Sequence, residues 1–188
     1  MKQYITRILE IDIGHRVLHE RMKCFSLHGH RVKIELTFLF TDQVDIGYCI
    51  DFKEIKRVGS QWIADKMDHG FIANPQDIPI IKACQETGSK YYVMSLNGEN
   101  QYCNPTAENV SRELFMAIEL LFAHYPNLRM HHLRYYETPN CWVDTYQDSL
   151  HPEERAHFHA YRFEEITQYA AAMGMMEYDT RKVIPPVV

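Results

Sequence analysis

Lys23-Cys24-Phe25-Ser26-Leu27-His28-Gly29-His30 runs straight into Arg31-Val32-Lys33-Ile34-Glu35-Leu36-Thr37-Phe38. From His28 onward the residues alternate, with Val32, Ile34, Leu36, Phe38 and Phe40 on one side, which is the pattern of a half-buried β-strand. Successive strand side chains point to opposite faces, so His28 and His30 continue that apolar stripe at its N-terminal end. The glycine between them keeps the approach to the two imidazoles uncrowded. Two imidazoles at the end of a core-facing stripe are the beginning of a metal site.

Upstream, Ile5, Arg7, Leu9, Ile11, Ile13 and His15 share one face of another alternating segment, with Thr6, Ile8, Glu10 and Asp12 on the other and Gly14 near its end. Residues 16–27 read as a polar loop. If the two strands pair antiparallel, the end of the first lies beside the start of the second, and His15 joins His28 and His30. Three neutral imidazoles with an open fourth position describe a catalytic rather than a structural zinc (Zn2+) site, and imidazoles also suit Fe, Ni and Cu. His19 is a rival ligand, whereas His131-His132 and His157-x-His159 lack such a context and read as surface residues.

Downstream, Phe52, Ile55, Val58, Trp62 and Met67 recur at helical spacing, with Gly59 a mild cost. Asp68-His69-Gly70 closes that helix, and Gly70 suits a position with positive φ. Residues 75–104, with Pro75, Pro79, Gly88 and Gly98 around the strand-like Lys90–Met94, read as an irregular insertion or lid. Thr106 is the N-cap of a second helix, Glu108 lies in its first turn, and Val110, Leu114, Ala117, Ile118 and Leu121 form its apolar stripe. Arg129–Glu137 and Cys141–Tyr146 read as strands joined by Thr138-Pro139-Asn140. Pro152 to about Met175 reads as a helix, and the tail Val183-Ile184-Pro185-Pro186 as extended. The expected class is α+β with an antiparallel sheet. Residues 1–146 read as one domain and 147–188 as a C-terminal helical extension.

The chain has 188 residues, 46% of them hydrophobic and 24% charged, which suits one soluble domain. A net charge of −5 without a Lys/Arg block gives no footprint for nucleic acid. No run approaches membrane-spanning length, and Met1–Tyr4 has no apolar signal core. Five cysteines without a Cys-x-x-Cys pair fit a reducing cytoplasm better than a disulfide framework.

Cys24 has two readings. It is either a small apolar filler or, beside a cationic metal, a thiolate acting as base or nucleophile, and its place between the proposed ligands favours the second. Asp68-His69 alone signals no more than a helix end. Glu137 ends a strand face holding His131, Leu133 and Tyr135, and is either a solvated rim residue or an anchor for a planar hydrogen-bond donor.

Taken together, Gly14-His15-Arg16, Lys23-Cys24-x-x-Leu27-His28-Gly29-His30, Gly47-x-x-Ile50-Asp51-Phe52, Met67-Asp68-His69, Pro105-Thr106-x-Glu108-Asn109 and Glu137-Thr138 resemble the 6-pyruvoyltetrahydropterin synthase superfamily. The four-residue step from Cys24 to His28 is similar to its 6-carboxy-5,6,7,8-tetrahydropterin synthase branch. The resemblance implies a tunnelling fold, a ββααββ antiparallel sheet with two helices on one face, assembled into a homo-oligomer, usually a hexamer, with active sites at subunit interfaces. It implies a pterin substrate, 7,8-dihydroneopterin triphosphate, cleaved in queuosine biosynthesis to 6-carboxytetrahydropterin, acetaldehyde and triphosphate. Carried over by position, His15, His28 and His30 hold zinc, Cys24 is the base with Asp68 and His69 as its relay, and Glu137 anchors the pterin with Thr138 assisting. Competing readings are a 6-pyruvoyl or related side-chain enzyme, and a pterin- or purine-binding protein without turnover. A cupin-like metal protein is disfavoured because Glu35 faces away from the histidines.

Overall fold

The computed structural model of the chain describes residues 2–43, 47–96, 103–125 and 127–174. The long alternating segments form strands β1 (Gln3–His15) and β2 (His28–Phe40), paired antiparallel from Gln3 opposite Phe40 to His15 opposite His28. A helical rod follows: α1 (Phe52–Ile55), a π turn (Lys56–Ser60) and α2 (Gln61–Met67). Asp51 caps it by accepting from the Lys53 amide at 2.8 Å. Gly59 has a packing reason, because a Cβ there would lie 3.1 Å from the Phe122 ring.

The end of the rod departs from expectation. The positive φ falls on His69, at 55°, and not on Gly70. Its amide donates to the Asp12 carbonyl at 2.7 Å, which turns the chain back alongside β1. Gly70 instead admits a close approach, since a Cβ would meet the Met67 carbonyl oxygen at 3.0 Å. It opens β3 (Gly70–Ala73), followed by α3 (Ile78–Thr87) and β4 (Tyr91–Val93). The stretch read as irregular thus holds a ten-residue helix and part of a parallel β–α–β unit. Gly98 and the Val183–Pro186 tail lie outside the described residues.

Helix α4 (Ala107–Leu121) begins where Thr106 accepts from the Asn109 amide, and its apolar stripe is buried as expected. Strands β5 (Leu128–Thr138) and β6 (Cys141–Tyr146) form a hairpin, and α5 (Pro152–Ala172) follows. The sheet order is β4-β3-β1-β2-β5-β6. Its four long-range strands are antiparallel, and β3 adds in parallel at the Ile13–His15 end of β1. The α+β class stands, with a mixed rather than purely antiparallel sheet.

One sheet face carries Ile11, Ile13, Val32, Ile34, Leu36, Phe38, Leu133 and Tyr135, all buried with Ile55, Val58, Trp62, Leu114 and Ile118 of the helices in one core. Pairing between β2 and β5 passes from Thr37–His132 to Phe38–Met130, leaving His131 as the extra residue of a bulge. His131 therefore does not share the face of Leu133 and Tyr135. Its ring lies 4.7 Å from that of Tyr4. Helix α5 packs on α4, joined to it by the ion pairs Arg112–Glu154 and Arg155–Glu119, and buries Phe158, Ile166 and Ala170.

Candidate metal centre

Register places His15 opposite His28 and Ile13 opposite His30 at the open end of the β1–β2 ladder. Alternation then turns all three imidazoles to the core side. Their ring centroids are 4.5, 5.2 and 5.0 Å apart, and one nitrogen from each lies within 4.8 Å of the others. Gly29 makes this possible, because a Cβ there would sit 2.7 Å from the Ile13 carbonyl oxygen.

Backbone carbonyls orient two of the rings. His15 Nδ1 donates to the Pro105 carbonyl at 2.6 Å, and His28 Nδ1 to the Ser26 carbonyl at 2.7 Å. A carbonyl can only accept, so each Nδ1 carries the proton and each Nε2 keeps its lone pair. His15 Nε2 is buried without a hydrogen-bond partner. Such an orphan costs about 1–3 kcal/mol unless something binds it. Burial, joined by the neighbouring His28 and His30, lowers the His15 pKa against the Pro105 bond and Glu137, which favours the neutral ligand form. An orphaned imidazole nitrogen beside two more imidazoles, with ring orientation fixed from behind, fits a zinc ion.

Glu137 lies at the rim on the same side, its Oε1 3.7 Å from His15 Nε2 and beyond hydrogen-bond reach. It does not belong to the converging trio. Together with His30, Tyr136, Thr138 and Lys33 it lines a cavity of about 520 Å³. Cys24 is exposed in the 16–27 loop and likewise outside the trio. Asp68 and His69 form a different group with Asp12. Asp68 Oδ1 accepts from the Asp12 amide at 2.9 Å and lies 3.0 Å from His69 Nδ1. Burial pushes the Asp68 carboxyl up, but the Asp12 amide and His69 outweigh it and hold it below the usual carboxylate range. The His69 side chain is 77% exposed. His19, the rival ligand, is not in the cluster and takes a positive φ of 67° in the loop.

The sequence reading missed Asp12 and the Pro105 and Ser26 carbonyls. The signal for Pro105 was its place just before the Thr106 cap. For Asp12 there was none, since Asp68 lies 56 residues away.

Residues 4–148 match the family model described as 6-pyruvoyl tetrahydropterin synthase. The chain is 37% identical over 142 residues to the 6-carboxy-5,6,7,8-tetrahydropterin synthase of Rickettsia felis, covering 74% of this chain and 96% of that one. The protein of the same name from Haemophilus influenzae is 27% identical over 150 residues, 77% of this chain and 98% of its own. Among solved structures, an uncharacterized protein from Wolinella succinogenes superposes with a TM-score of 0.60 at 16% identity, covering 78% of this chain and 99% of that one. The 6-pyruvoyl tetrahydropterin synthase of Caenorhabditis elegans gives 0.55 at 16% identity, over 78% and 96% of the two chains.

Proposed function

Because the chain belongs to the 6-pyruvoyl tetrahydropterin synthase family, we propose that it is a zinc-dependent 6-carboxytetrahydropterin synthase of the queuosine pathway. Its substrates are 7,8-dihydroneopterin triphosphate and one water, and its products are 6-carboxytetrahydropterin, acetaldehyde and triphosphate. The observation that carries the zinc is the buried, unpaired His15 Nε2 turned toward His28 and His30. The 6-carboxy name of the more identical relatives favours this product over the pyruvoyl one.

His15, His28 and His30 would hold the ion, and zinc there supplies a Lewis acid for the oxygens of the substrate side chain. Glu137 accepts from the N–H edge of the pterin, with Thr138 beside it in the same cavity. Cys24 takes the proton from the side-chain carbon as general base. His69, held by Asp68, relays a proton at its exposed ring nitrogen. Since Cys24 does not join the group that Asp68 and His69 form with Asp12, the reading includes a homo-oligomer, a hexamer, whose sites lie between subunits. All five cysteines are free, which supports a cytoplasmic location. Among the described residues no helix is long and apolar enough to cross a membrane.

The test is product analysis of the zinc-loaded protein with dihydroneopterin triphosphate. Acetaldehyde should appear in step with 6-carboxytetrahydropterin, and Cys24→Ala should abolish both while retaining zinc. Unchanged substrate beside an active control enzyme, or a pyruvoyl product without acetaldehyde, would sink the assignment.

A further inference from the structure

The loop that carries Cys24 is gripped at its start by two buried polar residues that neither the metal nor the pterin uses. Arg16 gives Asp77 a two-pronged hydrogen bond, Nε to Oδ2 and Nη2 to Oδ1, each 2.6 Å, and Asp77 is 1% exposed. Such a bidentate pair fixes direction as well as distance. Asn104 clamps both backbone groups of Leu18: its Oδ1 accepts from the Leu18 amide at 3.0 Å, and its Nδ2 donates to the Leu18 carbonyl at 3.0 Å. Asn74, 1% exposed, donates to the same Oδ1 at 2.9 Å and so holds the clamp from behind.

Val17 sits between these two grips, and its amide donates to the Cys24 carbonyl at 2.8 Å. The rest of the loop supplies little support of its own. Met22, Phe25 and Leu27 are 81%, 47% and 57% exposed, and its other tethers are local. The Met22 and Phe25 amides donate to Glu20, the Glu20 amide to the Val17 carbonyl, the Ser26 amide to the Lys23 carbonyl and His28 to the Ser26 carbonyl. The Arg16 guanidinium lies 5.3 Å from the Phe25 ring centroid. His15 is already held by β-pairing and by Pro105, so the grips on Arg16 and Leu18 are not needed for the ligand.

We propose that Asp77 and Asn104 are positioning residues that place Cys24 for proton transfer, acting through Arg16, Leu18 and the Val17–Cys24 hydrogen bond. This rests on Cys24 being the base of the proposed reaction. It gives the 74–77 and 104 segments, which flank α3 and β4, a task at the active site.

The experiment compares wild type with Asp77→Asn and, independently, Asn104→Ala, all zinc-loaded, by amide hydrogen exchange and steady-state kinetics. Exchange at Val17 should rise about tenfold or more in each variant while amides in the middle of α4 keep their protection. Zinc should remain bound, and kcat should fall by about tenfold or more with KM changed less than about threefold, the mark of misplaced chemistry rather than lost binding. Unchanged exchange at Val17, faster exchange with unaltered kcat, or a parallel rise throughout α4 would each overturn the proposal. If wild type itself leaves the pterin untouched, the functional assignment fails, and the grip then stands or falls on exchange at Val17 alone.

Discussion

Gly29 does at the scale of one residue what no other side chain could do there. It lies opposite Gly14, between two histidines, with no room for a Cβ against the Ile13 carbonyl oxygen at 2.7 Å. Gly29→Ala must push β1 from β2 where His15 faces His28 and Ile13 faces His30. It should cost about 1–3 kcal/mol of stability and abolish stoichiometric zinc, read by thermal melting and metal analysis. A variant that kept both zinc and melting temperature would show that the trio needs no such closeness. Glu137 makes the contrasting case, near His15 but outside the converging set. Glu137→Gln should keep zinc and raise KM by about 10–100-fold, the loss of a charge-assisted hydrogen bond to the pterin edge. Loss of zinc instead would make Glu137 a ligand. The trio was legible because strand alternation and antiparallel pairing are properties of side-chain pattern. The carbonyls of Pro105 and Ser26 that orient the rings were not, because every residue has a carbonyl and the sequence does not say where it points.

Among the elements, α3 shows how the same residues can mislead. Pro79 and Gly88 look like marks of irregular chain, yet Pro79 sits in the first turn, where its missing N–H costs nothing, and Gly88 closes the helix at φ 68°. They punctuate one helix. Strands of four and three residues such as β3 and β4 are too short for alternation to declare itself, and their parallel pairing to β1 and to each other is set by tertiary contact. The β5–β6 hairpin, by contrast, was readable from its Thr138-Pro139-Asn140 turn. Its outward face is tied by Asp144, which accepts from Arg134 at 2.7 and 2.9 Å and from His132 at 2.7 Å. The Arg134 bonds hold the Asp144 carboxyl below its usual range against the cost of burial, and His132 helps. A depressed carboxylate contributes stability above its unfolded pKa and loses it as pH falls through the lower folded value. At pH 7 wild type should therefore exceed Asp144→Asn by about 1 kcal/mol, a modest figure for a partly exposed pair. That gap should close below roughly pH 4. A difference independent of pH in denaturant titrations would assign the effect to shape rather than charge.

For the whole molecule, the sheet leaves work undone. β3 covers the edge of β1 only at Ile13–His15, and β6 is the outermost strand on the other side. Tyr4, Ile8, Trp142 and Tyr146 stand 54%, 51%, 49% and 42% exposed on the face turned away from the core. An uncovered edge with exposed apolar residues near it is a template for another chain, and in the proposed homo-oligomer a second copy would offer its β6 to this β1. Repeated head to tail, such a contact closes into a ring when the rotation between copies permits it, as the proposed hexamer requires. The same closure would let the Asp68–His69 pair of one chain serve the Cys24 of the next. Light scattering should then report a mass near six chains. The sharper test is complementation. Cys24→Ala and His69→Ala chains, each inactive alone, are co-expressed so that they mix during assembly. If a site draws Cys24 and His69 from different chains, random mixing restores about a quarter of the sites, each built from the intact residue of each parent. If both residues act within one chain, every site lacks one of them and the mixture stays as dead as its parents, which would return the Asp68–His69 pair to a role in turning the chain between α2 and β3.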